Sequence, residues 1–427
     1  MNNKKVMTRD KIYLCLAHMS DAGMEEKYIK EAFVTNWVVP LGPNVNEFEK
    51  ELERFVGENK RVVALNSGTA AVHLSLLESG VQVGDEVIVQ SFTFCASSHP
   101  VTYLGATPVF VDSEQHSWNM DPQLLEQAIR DRMAKTGRLP KAIVPVTLYG
   151  MPYDIDAIMA VANHYGIPVI EDTAEGLGSR WCCADGKWRN LGTFGKFGVL
   201  SFNGNKMITT SGGGALICPD DEAWNRIMWR ATQARESYPY YQHEAIGYNY
   251  RMSNICAGIG RGQMTILNDH IAHHKHVQHL YEEAFSHVDG IEVHANPESR
   301  YDSNFWLCTI LLDERLHVTG QEHAYSSAIT GAVGGAGSVV HQGGTLHTDC
   351  EPNANVEAMR KFLEQRSIEA RPLWKPMHRQ PIYKEAPAYI NGVSESLFRR
   401  GMCLPSGPMV TDEDVHYIVD CIKEAIR

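Results

Sequence analysis

One lysine and a pair of carboxylates stand where an α/β chain displays reactive groups. The stretch from Phe194 to Ala215, FGKFGVLSFNGNKMITTSGGGA, carries an apolar strand-like run over 197–202 and a polar turn, Asn203-Gly204-Asn205, that delivers Lys206. Thr-Thr-Ser and three glycines close it. Upstream, an apolar run beginning at Ile167 ends in Glu171-Asp172 and a glycine-bearing turn that contains Glu175. The ends of strands are where an α/β sheet builds its ligand sites. A lone lysine is ordinarily a solvated surface charge, so the pairing with the acids is what counts. An amine can hold the aldehyde of pyridoxal 5'-phosphate (PLP), and a carboxylate can keep the cofactor's ring nitrogen protonated so that the ring draws electrons. Lys206 and Asp172 suit those two roles.

The two segments EDTAEGLGS (171–179) and SFNGNKMITTSGGGA (201–215) resemble the sugar-nucleotide aminotransferases of the DegT/DnrJ/EryC1/StrS family. That family is a branch of the PLP-dependent, aspartate-aminotransferase-like fold, fold type I, and the resemblance runs through nearly the whole chain. It implies an α/β architecture with a large, mostly parallel sheet and a smaller C-terminal α/β domain. It also implies a two-stage exchange: L-glutamate gives up its amino group, and a keto sugar attached to a nucleotide then receives it. Lys206 would be both anchor and acid–base group.

The resemblance carries further residues with it. The turn Ser67-Gly68-Thr69 lies between a strand-like run at 62–65 and a helical run at 70–77, so its N–H groups and the helix dipole can cradle a phosphate. Such turns also use Ser, Gly and Thr simply as caps. In the family this turn holds the PLP phosphate, which implicates Gly68 and Thr69, and Ser201 matches a second phosphate contact. Phe94 stands where the family sets an aromatic ring over the cofactor, or else is a core aromatic. Glu175 is implied to hydrogen-bond the ring oxygen. GYNYR at 247–251 matches a signature whose asparagine, here Asn249 beside Arg251, crosses to the neighbouring subunit's phosphate. That implies a homodimer with its active site at the interface. Asn36 and Trp37 correspond to a segment near the substrate.

The segment RPLWKPMHRQP, with Arg371, Lys375 and His378, is a proline-stiffened cationic loop suited to a diphosphate or a carboxylate, or else a basic surface turn. It resembles the substrate loop of enzymes that make 4-amino-4,6-dideoxy sugar nucleotides, closest to those acting on UDP-2-acetamido-4-keto-2,6-dideoxyglucose in the bacillosamine pathway. The rival is the perosamine reaction on GDP-4-keto-6-deoxymannose, whose enzymes often carry glutamate at the position of Glu175. Many relatives have histidine where this chain has Thr147. Dehydratase-like relatives replace the lysine by histidine, which Lys206 speaks against. Regulatory PLP proteins carry an added DNA-binding segment, and no basic helix pair is visible at this N-terminus.

The elements that must position these groups follow from the alternation of strand-like and helical runs between residues 62 and 170, which predicts a sheet covered on both faces. The expected division is an N-terminal arm with helices at 1–60, a PLP-binding domain at 61–265, and a linker helix with the small domain at 266–427. The 427 residues suffice for two or three domains. A composition 44% apolar and 21% charged is that of a globular protein, and the net charge of −12 argues against a nucleic-acid partner. No signal peptide or membrane span is read at the N-terminus. The ten dispersed cysteines suit a reducing cytoplasm. Two features stay outside this reading. His273, His274, His276 and His279 stand on a predicted helix at 267–285, as a metal-ligand stripe or, more ordinarily, a solvated face. His341, His347 and Cys350 belong to a glycine-rich stretch, 319–351, that reads as a loop or flap.

Overall fold

In a computed structural model of the chain, residues 10–325 and 350–426 are described. Residues 1–9, and residues 326–349 of the glycine-rich stretch with His341 and His347, lie outside them.

Strands Arg61–Leu65, Gly214–Cys218, Phe197–Ser201 and Ile170–Asp172 are hydrogen-bonded in that order, and Ala142–Val144, Glu86–Gln90 and Thr107–Val111 continue the surface. Parallel bridges Ile143–Val169 and Val146–Asp172 join the two groups. Gly214–Cys218 runs antiparallel to both its neighbours, and the other pairings in the surface are parallel. These strands are buried along their length, apart from one end residue in four of them, which is why the sequence shows continuous apolar runs there instead of alternation. Helices Gly68–Glu78, Pro122–Thr136 and Ile155–Tyr165 connect strands of this surface, and Asp221–Ala231 follows Gly214–Cys218. Their first turns are capped by the side chains of Ser67, Asp121, Asp154 and Asp220, each supplying an acceptor for an otherwise unpaired N–H.

Two element boundaries have local causes. The run from Ile167 pairs first at the Val169 bridge and enters the ladder at Ile170–Asp172, because Pro168 has no N–H to give. The helix after Gly214–Cys218 ends at Ala231. There Gln233 and Ala234 take φ of 71° and 49°, and residues 247–250 pack against the helix end, with the Tyr248 N–H donating to Arg230 O at 2.7 Å.

A second, antiparallel sheet is ordered Ile291–Val293, Cys308–Leu312, Gly401–Leu404, Arg371–Pro372. Its apolar core is shared with helices Leu267–Phe285, Ala354–Glu364 and Asp412–Ala425, the last opened by a Thr411–Asp414 capping box. Ala388–Tyr389 leaves this region to pair in parallel with Thr107–Val111, so residues assigned to the C-terminal domain extend the edge of the large sheet. Among the described residues no helix is long and apolar enough to cross a membrane.

Candidate active site

A cavity of about 1000 Å³ opens where the strands of the large sheet end. Ser67 and Gly68 follow Arg61–Leu65, Thr93 and Phe94 follow Glu86–Gln90, Asp172 ends its strand and Ser201 ends another. This is the carboxyl-end crevice at which α/β sheets bind ligands. The opposite wall comes from Leu14–Leu16, Trp306, Arg371 and Trp374.

Lys206 reaches the cavity from the turn after Phe197–Ser201, its N–H donating to Asn203 O at 2.9 Å. Nζ donates to Glu175 Oε1 at 3.0 Å and stands 3.9 Å from the centroid of the Trp306 ring, so the ammonium is held between a carboxylate and an aromatic face. Glu175 Oε2 accepts the Tyr149 N–H at 2.7 Å. Burial raises the pKa of Glu175, and the charge of Lys206 opposes that rise.

Asp172 is buried. Ser97 Oγ donates to its Oδ2 at 2.6 Å, and the Ala174 N–H to its Oδ1 at 3.2 Å. Burial pushes its pKa up, while these donors and Lys206 pull it back. Its neighbour Glu171 points to the other face of the strand and accepts the Gly192, Phe194 and Gly195 N–H groups at 3.0, 2.7 and 2.6 Å. Of the two adjacent acids, therefore, Asp172 faces the cavity and Glu171 braces the loop before Phe197–Ser201.

At the far end Ser67 Oγ accepts the Ala70 N–H at 3.1 Å, while the first-turn amides of Gly68 and Thr69 have no intrahelical partner to bond. Gly214 makes this turn possible, since a Cβ there would meet Gly68 N at 2.3 Å. The hydroxyls of Thr69 and Ser201 line the same part of the cavity. An amine, a buried carboxylate, and amides with hydroxyls at a helix N-terminus fit the aldehyde, ring nitrogen and phosphate of PLP.

Gly68, Thr69, Phe94, Asp172, Glu175, Ser201, Lys206, Arg371 and Lys375 all line the cavity. Phe94 is an exposed ring 5.5 Å from that of Trp374, not a core aromatic. Arg371 also pairs with Glu369. Asn36, Trp37, Asn249 and His378 are outside the lining. Asn36 and Asn249 are exposed, the latter's carbonyl accepting from Asn66 Nδ2 at 3.3 Å. Trp37 O accepts from Asn254 Nδ2 at 2.9 Å. His378 is held within the chain: Nδ1 lies 2.7 Å from Ser91 Oγ and Nε2 3.1 Å from Glu395 Oε1. Arg251 forms a two-pronged buried pair with Glu49 and donates to Ala64 O at 2.9 Å, which packs helix Pro43–Val56 against the sheet.

Sequence reasoning missed Trp306, Trp374 and Cys15, whose thiol burial pushes up to about 12. The usable signal was SNFW, a polar and aromatic cluster just before the apolar strand Cys308–Leu312. The arm offered none, because Cys15 is brought to the site by contacts distant in sequence, among them the Ile12–Ile368 bridge, the Leu14 N–H bond to Glu369 at 3.2 Å and the Ser406 N–H bond to Leu14 O at 3.0 Å.

A mostly parallel sheet with a lysine and a buried aspartate at its carboxyl end defines a PLP-dependent transferase of fold type I, here an aminotransferase. The chain belongs to the DegT/DnrJ/EryC1/StrS aminotransferase family, which it matches over residues 20–324 and 333–423. It is 41% identical over 417 residues to EpsN of Bacillus subtilis, covering 96% of this chain and 95% of that one. It is 32% identical over 414 residues to the GDP-perosamine synthase of Escherichia coli O157:H7, covering 96% and 98%. The crystal structure of a DegT DnrJ EryC1 StrS aminotransferase from Brucella abortus superposes with a TM-score of 0.79 at 27% identity, covering 95% of this chain and 96% of that one.

Proposed function

We propose that this chain transfers the amino group of L-glutamate to C4 of a nucleotide-linked 4-keto-6-deoxy sugar, acting as a homodimer. The observation that carries the reading is the placement of Lys206 Nζ, 3.0 Å from Glu175, in one cavity with Asp172 and the cations Arg371 and Lys375. PLP bound there stores the amino group between the two halves of the exchange. Asp172 holds the proton at the cofactor's ring nitrogen. Lys206 Nζ takes the proton from the donor's α-carbon and returns one at C4 of the sugar. Glu175 and the Trp306 ring keep that amine beside the reacting carbon, and Arg371 and Lys375 receive the diphosphate.

Two nucleotides have support. The loop at 371–381 favours UDP-2-acetamido-4-keto-2,6-dideoxyglucose, and similarity over nearly full length to a GDP-perosamine synthase favours GDP-4-keto-6-deoxymannose. The test of the shared reading is Lys206→Ala, assayed for amino sugar formed from glutamate and either keto sugar. Turnover should be abolished. Substantial turnover would refute the assignment of the lysine.

A further inference from the structure

The helix Leu267–Phe285 carries the histidines that neither the sequence nor the reaction explains. His276 and His279 lie at the surface, 2.9 Å from Asp412 and 3.2 Å from Glu283. Among the described residues no group of three or more His, Cys, Asp or Glu could hold a metal ion. His270 and His274 are different: they stand one helical turn apart and both are buried.

His270 Nδ1 lies 3.1 Å from Met207 O, and His274 Nδ1 lies 3.2 Å from Phe305 O. A carbonyl only accepts, so each Nδ1 carries the proton and each Nε2 is bare. Both Nε2 atoms are buried with no hydrogen-bond partner among the described residues, where a charged imidazolium would be stranded. The two rings are neutral donors of fixed tautomer, which makes them stiff struts.

The carbonyls they hold flank the reactive amine. Met207 follows Lys206 directly. Phe305 precedes Trp306, whose ring lies 3.9 Å from Nζ. Trp306 Nε1 donates to Asn205 O at 2.6 Å, tying the two held segments together. Phe305 has φ of 49°, an uncommon conformation for a bulky residue. Asn304 over-determines it: Oδ1 accepts the Trp306 N–H at 2.9 Å while Nδ2 donates to Glu175 O at 2.8 Å. A single helical turn thus bears on both walls of the pocket around Nζ.

We propose that His270 and His274 are positioning residues for Lys206, using their Nδ1–H donors to fix the Met207 and Phe305 carbonyls and so the place of Nζ between Glu175 and Trp306. The inference rests on Lys206 being the lysine that holds the cofactor. Neither histidine touches the reacting atoms.

The test compares holoenzyme variants at each position. His274→Asn keeps a donor near the place of Nδ1, whereas His274→Leu keeps bulk and loses the donor. His270→Asn and His270→Leu form the second pair, which carries the comparison should either chain at 274 fail to fold. The leucine substitutions are expected to leave KM for both substrates near the parent value. They should lower kcat by roughly 10- to 100-fold, the scale of a misplacement of about 1 Å, and displace the absorption maximum of the bound cofactor. The asparagine substitutions should restore most of both. Because His274 acts through the Trp306 turn, His274→Leu combined with Trp306→Phe should cost less than the sum of the two. An unchanged kcat and spectrum in folded leucine variants, or equal losses in the leucine and asparagine variants, would overturn the proposal. Lys206→Ala is run beside them, and turnover surviving in that variant would remove the premise itself.

Discussion

The charge on Asp172 is held at a cost. It is buried, and its two donors, the Ser97 hydroxyl and the Ala174 N–H, do not cancel the desolvation that raises its pKa. A carboxyl whose folded pKa exceeds its unfolded one favours folding fully below the unfolded value, and that favour is lost as pH rises through the folded value. Asp172→Asn removes the ionised form. The cofactor-free variant should therefore melt higher than the parent near neutral pH, the gap closing as pH falls through the carboxylate range, while aminotransfer is lost. A variant melting lower than the parent near neutral pH would show that the ionised carboxylate stabilises the empty site. Lys206 and Asp172 were legible in sequence because each closes a local strand-and-turn pattern. Trp306 was not: the SNFW cluster marks an aromatic before a strand, but its role depends on a contact with Lys206 across 100 residues of chain.

At the scale of elements, the phosphate end depends on a backbone approach. A Cβ at Gly214 would meet Gly68 N at 2.3 Å and Ser67 C at 2.4 Å, and neither backbone atom can move without displacing the helix start. Gly214→Ala should cost about 1–3 kcal/mol, as overpacking does, and should weaken cofactor retention, read as faster loss of the bound chromophore on dilution. An unaltered retention would mean that the turn at 67–69 does not grip the phosphate. The buried Arg251–Glu49 pair joins helix Pro43–Val56 to the sheet, and Glu49 also accepts the Ala64 N–H at 2.7 Å. Arg251→Ala leaves that carboxylate unpaired, so chemical denaturation should register a loss of about 3–5 kcal/mol. Helices with side-chain caps and strands with unbroken apolar runs were legible, since their signals are local. The strand Ala388–Tyr389 was not: two residues form it, and only the distant edge of Thr107–Val111 makes them a strand.

For the whole molecule, Asn249, the residue expected to act across an interface, lies outside its own chain's cavity. Asn249 is exposed, and Phe33, Val34, Val38 and Leu41, beside Asn36 and Trp37, form an exposed apolar run of the kind that marks an association surface. If Asn249 serves the neighbouring subunit, mixing Lys206→Ala with Asn249→Ala chains should restore activity, because each hybrid dimer has one intact site. No recovery, with subunit exchange verified, would count against the shared site. The claim at the centre of this account is amino transfer to a 4-keto sugar nucleotide, and it is tested most directly in a single turnover. The enzyme is loaded with pyridoxamine phosphate, UDP-2-acetamido-4-keto-2,6-dideoxyglucose or GDP-4-keto-6-deoxymannose is added, and the cofactor's absorption is followed. The account predicts that one of the two sugars returns the cofactor to its aldehyde form with formation of the 4-amino sugar. An unchanged spectrum with both would contradict it.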